Sequence, residues 1–224
     1  MKISIVIPAF NEDKLLGESL AQIKSAAAAF TKLGWEFEIV VCDNNSTDRT
    51  TEIARARNSG AAAATGDWLV FVDADSHPSA ELFADVAEQI VSGKCLAGGT
   101  TVRLDVRNFS GDSASWIWNR VSRLFKLLAG SFIFCETAAF RKIGGFSNEL
   151  FAGEELELSG RLKHFARAQK KKVVILHRHP LTTSARKMQL YTIWDHLKLL
   201  FKVLFNRRIL TQRDACILWY DGRR

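Results

Sequence analysis

The sequence predicts an α/β fold, with a mixed, mostly parallel sheet flanked by helices and a C-terminal helical extension. Two observations predict it. Short apolar runs alternate with stretches of helical periodicity through the first hundred residues, the signature of strand–helix units that build a parallel sheet covered on both faces. Each of the first three apolar runs also ends in a polar cluster. In such sheets ligands bind beyond the carboxyl ends of the strands, so the clusters are expected to share one cleft.

The elements follow in order. Ile3 to Ile7 is a β-branched run ended by Pro8. Lys14 to Phe30 places Leu15, Leu16, Leu20, Ile23, Ala27 and Phe30 at helical spacing. Phe37 to Val41 is the second strand, closed by Cys42-Asp43-Asn44-Asn45. Ser46 or Thr47 can cap a helix through Arg55, and Ala61 to Ala64 is a helix-forming run stopped by Gly66. Trp68 to Val72 is a buried-strand candidate, closed by Asp73-Ala74-Asp75. Ser79 precedes the helix Ala80 to Val91. Further on, Leu96 to Val102 reads as a strand and Arg103 to Ser115 as a polar loop. Trp116 to Leu128 has helical spacing, and Ser131 to Cys135 reads as a strand. Glu154 to Ala168 begins acidic and ends basic, matching a helix dipole. Lys172 to Leu176 is a short strand and Leu190 to Phe205 an amphipathic stretch.

Composition excludes several classes. With 47% hydrophobic and 25% charged residues, 14 Gly, 3 Pro, 15 Phe and 6 Trp in 224 residues, the chain is neither collagenous nor disordered. No run reaches the ~18 apolar residues of a spanning helix. The opening strand-like run predicts no secretory leader. Four well-separated cysteines without a C-x-x-C pair predict neither a zinc site nor a disulfide framework, consistent with a cytoplasmic location. The net charge of +7 hides a gradient: residues 1–100 carry 8 basic and 14 acidic side chains, residues 161–224 carry 16 and 3. A basic block suits an anionic partner or a solvated surface.

Three constellations carry chemistry. Asp73-Ala74-Asp75, at a strand end, can hold a hard cation such as Mg²⁺ or Mn²⁺ with open positions for phosphate oxygens, or form a solvated turn; His77 is a further candidate ligand. Asp43 and the residues after it can make an Asx-turn and helix cap, and Asp43 can also accept hydrogen bonds from a nucleobase or ribose. Glu154-Glu155-Leu156-Glu157 either complements a helix dipole or supplies a general base, since adjacent carboxylates raise each other's pKa.

In order along the chain, Ser4-Ile5-Val6-Ile7-Pro8-Ala9-Phe10-Asn11-Glu12, the Asp43–Asp48 turn, Arg57-Asn58-Ser59-Gly60, Gly66 to Asp75, Gly144-Gly145-Phe146 and Gly153-Glu154-Glu155-Leu156-Glu157-Leu158 with Arg161 resemble an inverting family 2 glycosyltransferase of the GT-A fold. The resemblance covers about residues 3–161. It implies transfer of a sugar from a nucleotide-diphospho-sugar, with Mg²⁺ or Mn²⁺ as cofactor. It implies a nucleoside pocket lined by Pro8, Phe10 and Glu12, base contact by Asp43, and further donor binding by Arg57. Asp73 and Asp75 would hold metal and diphosphate. Glu155 matches the catalytic base, with Glu154 and Arg161 orienting it and the phosphates. On this reading a nucleotide-sugar part (about 1–102) and an acceptor part (about 103–180) form a catalytic domain, and 181–224 is a basic helical extension.

Two departures are visible. Asp48 and Arg57 are nine positions apart, where the family places a helix, a strand and a loop, and a crossover alone needs ~10–12 residues. That shortening favours, as the alternative, a sugar-nucleotide-binding protein with weak or no turnover. The Gln-x-x-Arg-Trp pattern of processive synthases is absent, which points to transfer of a single sugar. A P-loop is absent too. In the extension, residues 186–208 combine Trp194, Phe201 and Phe205 with Lys198, Lys202, Arg207 and Arg208. They are expected either to dock on an anionic membrane, peripheral at its inner face and near a lipid-linked acceptor, or to pack on the domain. Nucleic acid is not an expected partner.

Overall fold

A computed structural model describes residues 1–9, 13–43, 52–105, 109–128, 130–150 and 153–184. The expectations for Phe10, Glu12, the turn after Asp43 and the extension beyond 184 lie outside the described residues.

Chain order runs β1 (Lys2–Ala9), α1 (Asp13–Ala26), α2 (Ala28–Thr31), β2 (Glu36–Asp43), α3 (Glu52–Ala63), β3 (Trp68–Val72), β4 (Ser76–His77), α4 (Ala80–Val91), β5 (Cys95–Leu104), α5 (Phe109–Phe125), β6 (Phe132–Glu136), α6 (Thr137–Lys142), α7 (Glu154–Ala168) and β7 (Lys172–Thr183). The strands form one sheet in the order β2-β1-β3-β6-β5-β7-β4. β2, β1 and β3 are mutually parallel, as are β5 and β7, and the β1–β2 and β5–β7 ladders are the longest.

β3 is apolar throughout, and β1 is so apart from Lys2 and the buried Ser4, because both their faces are covered. Ile3, Ile5, Ile7, Val70 and Val72 pack with Ile23, Phe30, Leu82, Phe83 and Val86 from α1, α2 and α4. On the other face Val6, Leu69 and Phe71 pack with Ala61, Phe140, Phe146, Leu158 and Leu162 from α3, α6, α7 and the turn before α7. α4 shows the local logic. The Ser79 side chain accepts a hydrogen bond from Leu82 N, Leu82, Phe83, Val86, Ala87 and Ile90 face the core, and the helix stops before Gly93 at φ 64°.

Several elements depart from the sequence expectations. α5 begins at Phe109, inside the stretch read as a polar loop. Its first turns are Ser- and Gly-rich, but the Asn119 side chain donates to Val102 O and accepts from Val102 N, both at 2.9 Å, anchoring the helix on β5. The helix expected from Lys14 to Phe30 breaks at Ala27 into α1 and α2. β7 continues past Leu176 to Thr183, where it pairs with the two-residue β4. β6 runs antiparallel to both β3 and β5. It starts beside the end of β3, where Asp73 N donates to Ser131 O, and so delivers Gly130 and Ser131 to the edge at which β1, β2 and β3 end.

Candidate active site

The carboxyl ends of β1, β2 and β3 share that edge. Ala9 is in register with Asp43, and Val6 with Phe71, so the ends of β2 and β3 lie two strand spacings, about 10 Å, apart. Pro8 is the last residue but one of β1, and Asp43 is the last of β2.

The centre of the site is Arg57 on α3. Its side chain is only 2% exposed. Nη2 donates to Asp73 Oδ1 at 2.8 Å and to Gly130 O at 2.9 Å, and Nη1 donates to Glu155 Oε1 at 3.3 Å and Glu154 Oε1 at 3.4 Å. The guanidinium carbon stands 5.2 Å from the centre of the Phe146 ring. One forked cation thus ties the end of β3, the loop before β6 and the first turn of α7, a task that suits a planar five-donor group. Burial works against its charge, but Asp73, Glu155 and Glu154 together hold it protonated well above the ordinary range.

The two α7 carboxylates differ. Glu154 is the more buried, with 11% of its side chain exposed against 21% for Glu155. Burial, then the charge of Glu155, pushes the Glu154 carboxyl up to about 7, against the pull of Arg57. Glu155 lies against Gly130, where an added Cβ would stand 2.1 Å from its Oε1. Gly153 supplies the left-handed turn, φ 73°, that starts α7 at this place.

Asn58, next to Arg57, points elsewhere. Its side-chain amide donates to Phe146 O and accepts from Phe146 N, both at 2.9 Å. It thereby fastens the Gly144-Gly145 turn, whose φ angles of 85° and 70° are glycine's territory. The Arg-Asn pair therefore holds two separate pieces of chain against α3, and no local pattern signals Asn58's partner 88 residues away.

The remaining candidates are distributed as follows. Arg161 donates to both carboxylate oxygens of Glu157, one turn earlier on α7, and to Ile143 O at 2.6 Å. His77 sits on β4, paired with β7 at the far end of the sheet order, and its Nδ1 is 2.6 Å from Gln22 Oε1. Among the described residues no group of three or more His, Cys, Asp or Glu side chains is arranged to hold a metal ion. Asp73 and Asp75 flank the buried Ala74 in the turn after β3. Two hard carboxylates with 28% of the Asp73 side chain exposed suit a divalent cation that takes its other ligands from phosphate oxygens and water.

A family model, that of glycosyl transferase family 2, matches residues 4–56 and 53–146. The two pieces overlap at residues 53–56, at the start of α3 and inside the segment between Asp48 and Arg57. The chain is 31% identical over 121 residues to a dolichol-phosphate mannosyltransferase of Pyrococcus furiosus, covering 45% of this chain and 33% of that protein. It is 31% identical over 145 residues to an undecaprenyl-phosphate 4-deoxy-4-formamido-L-arabinose transferase of Edwardsiella ictaluri, covering 54% and 41%. The chain thus spans well under half the length of these curated relatives. Among solved structures, a mannosyltransferase of Pyrobaculum calidifontis in complex with GDP-Man and Mn²⁺ superposes with a TM-score of 0.63 at 16% identity, over 88% of this chain and 59% of that one. The fold is that of the GT-A glycosyltransferases.

Proposed function

The chain belongs to glycosyl transferase family 2, and from that premise we propose that it transfers a single sugar, with inversion, from a nucleotide-diphospho-sugar to a hydroxyl of a lipid-linked acceptor. The observation that carries the proposal is the convergence of Asp73, Glu154 and Glu155 on the buried Arg57, with Glu155 the more exposed of the two glutamates. The two relatives are named for dolichol phosphate and undecaprenyl phosphate, which supports placing the acceptor on a lipid; a peripheral place at the membrane's inner face is part of the same proposal. Among the described residues, no helix is long and apolar enough to cross a membrane.

In this reading residues 1–102 bind the donor, with Pro8, Phe10, Glu12 and Asp43 toward the nucleoside and Asp73 toward the diphosphate. Residues 103–180 receive the acceptor. Asp73 and Asp75 would hold Mg²⁺ or Mn²⁺, which when bound neutralises charge on the diphosphate leaving group. The acceptor oxygen forms a bond to the anomeric carbon from the face opposite the diphosphate, the bond to the diphosphate oxygen breaks, and Glu155 takes the hydroxyl proton. Arg57 fixes the direction of the Glu155 carboxylate. Glu154 is the buried companion whose charge Arg57 offsets.

Replacing Glu155 with Gln tests the assignment. The amide is nearly isosteric and cannot accept the proton, so donor affinity stays while transfer falls about 10²–10⁴-fold. Near wild-type turnover would move the base to Glu154 or Glu157. One feature favours a second reading, a sugar-nucleotide binder with weak turnover. The nine positions from Asp48 to Arg57 are too few for the helix, strand and loop the family places there, and among the described residues β2 is the edge of the sheet. A donor that raises the melting temperature but is neither transferred nor hydrolysed would establish the binder.

A further inference from the structure

We propose that the outer face of α5 is a docking surface for an anionic lipid bilayer. Asn119 clasps Val102, and the buried Ser122 donates to Leu127 O at 2.7 Å, which turns this side of the helix to the sheet. Away from it, Ile117 is 57% and Leu124 74% exposed, flanked by Trp116 at 60% and by Phe125 at 59% where the helix ends. Large apolar side chains clustered this way on a surface mark an interaction site. Cations surround them: Arg120, whose guanidinium lies 4.8 Å from the Trp116 ring centre, with Arg123 and Lys126. Asp112 is the only acid in the helix sequence.

Charge complementarity selects the occupant. Two copies of this face would bring their cations together, whereas an anionic headgroup layer pairs with them while Trp116, Ile117 and Leu124 enter the acyl boundary, the interfacial-helix pattern. The position is apt. Lys163 of α7 donates to Phe125 O at 3.0 Å, Leu128 N donates to Ser159 Oγ at 2.9 Å, and Gly130 O then reaches Arg57. The end of α5 is thereby tied to α7, the helix whose first turn carries Glu155. The inference deepens the lipid-linked acceptor reading by giving the membrane a surface on the described domain, separate from the extension beyond 184.

Co-sedimentation of the full chain with phosphatidylcholine vesicles, and with vesicles containing phosphatidylglycerol, tests it. Wild type should prefer the anionic vesicles and lose that preference as salt rises. At about fivefold in partition per cation, Arg120→Glu with Arg123→Glu should weaken binding at least ~25-fold, and Ile117→Glu with Leu124→Glu should abolish it. All four positions are exposed, so unchanged melting and donor binding in both variants identify a surface effect and leave the transferase reading standing. The proposal is overturned by wild-type binding in either double variant, or by no anionic preference in wild type. It is also overturned if Leu124→Glu dissolves a concentration-dependent dimer while vesicle binding is absent.

Discussion

Glu154 makes stability depend on pH in a direction that can be worked out. Its carboxyl is pushed from an ordinary 4.5 up to about 7, first by burial, then by the charge of Glu155, with Arg57 opposing. Between those two values the folded chain holds a proton that the unfolded chain has released. Stability therefore falls as pH rises across that window. The contribution is fully present below pH 4.5 and lost once pH passes about 7. At 1.36 kcal/mol per unit, a displacement of this size is on the order of 3 kcal/mol. The group is too buried for solvent screening to reduce it much, since only 11% of the side chain is exposed. Glu154→Gln keeps the shape, offers Arg57 an amide oxygen and mimics the protonated acid. Urea unfolding of both proteins at a series of pH values from 4 to 8 isolates the effect, because every other titrating group is shared. The variant should gain on wild type by roughly 3 kcal/mol between pH 4.5 and 8. Parallel stability curves, or a wild type that gains on the variant as pH rises, would refute the reasoning.

Other consequences are equally specific. Arg57→Met leaves Asp73, Glu154 and Glu155 crowded without their cation, and should cost about 3–5 kcal/mol by urea unfolding at pH 7.5. Part of that loss should return at pH 5, and a loss below about 1 kcal/mol would mean that the ion cluster contributes little. Gly130→Ala puts a methyl group 2.1 Å from Glu155 Oε1. Because the clash meets the flexible end of a side chain, stability should change by less than about 1 kcal/mol while transfer drops with donor affinity intact; unchanged turnover in a steady-state assay would show that the Glu155 direction is unimportant. Asp75→Ala should abolish Mn²⁺-dependent nucleotide binding in isothermal titration, and unchanged binding would remove the cation from this turn.

Much of the fold was legible along the chain. β3, α4 and α7 fall at the residues where the sequence places them, because each is an uninterrupted apolar run or a periodic stretch with its boundary signals adjacent: Asp73-Ala74-Asp75 after Val72, Ser79 before Ala80, Gly153 before Glu154. These are short-range effects, settled by caps, turns and side-chain period. The start of α5, the antiparallel entry of β6 and the pairing of β4 with β7 were not legible, since each depends on a surface supplied by distant chain: Val102 for Asn119, the ends of β3 and β5 for β6, Thr182 and Thr183 for β4. The candidate site divides the same way. The sequence by itself determined which residues carry charge at the strand ends and at the head of α7, and the parallel order of β1, β2 and β3 put the strand ends on one edge. Only the tertiary structure decided that Arg57 turns inward to Asp73, Glu154 and Glu155, and that Asn58 fastens Phe146. Those partners lie 16 to 98 residues away. A buried guanidinium is stable only where several carboxylates and a carbonyl arrive together, and packing on both faces of the sheet, which no local pattern encodes, brings them there.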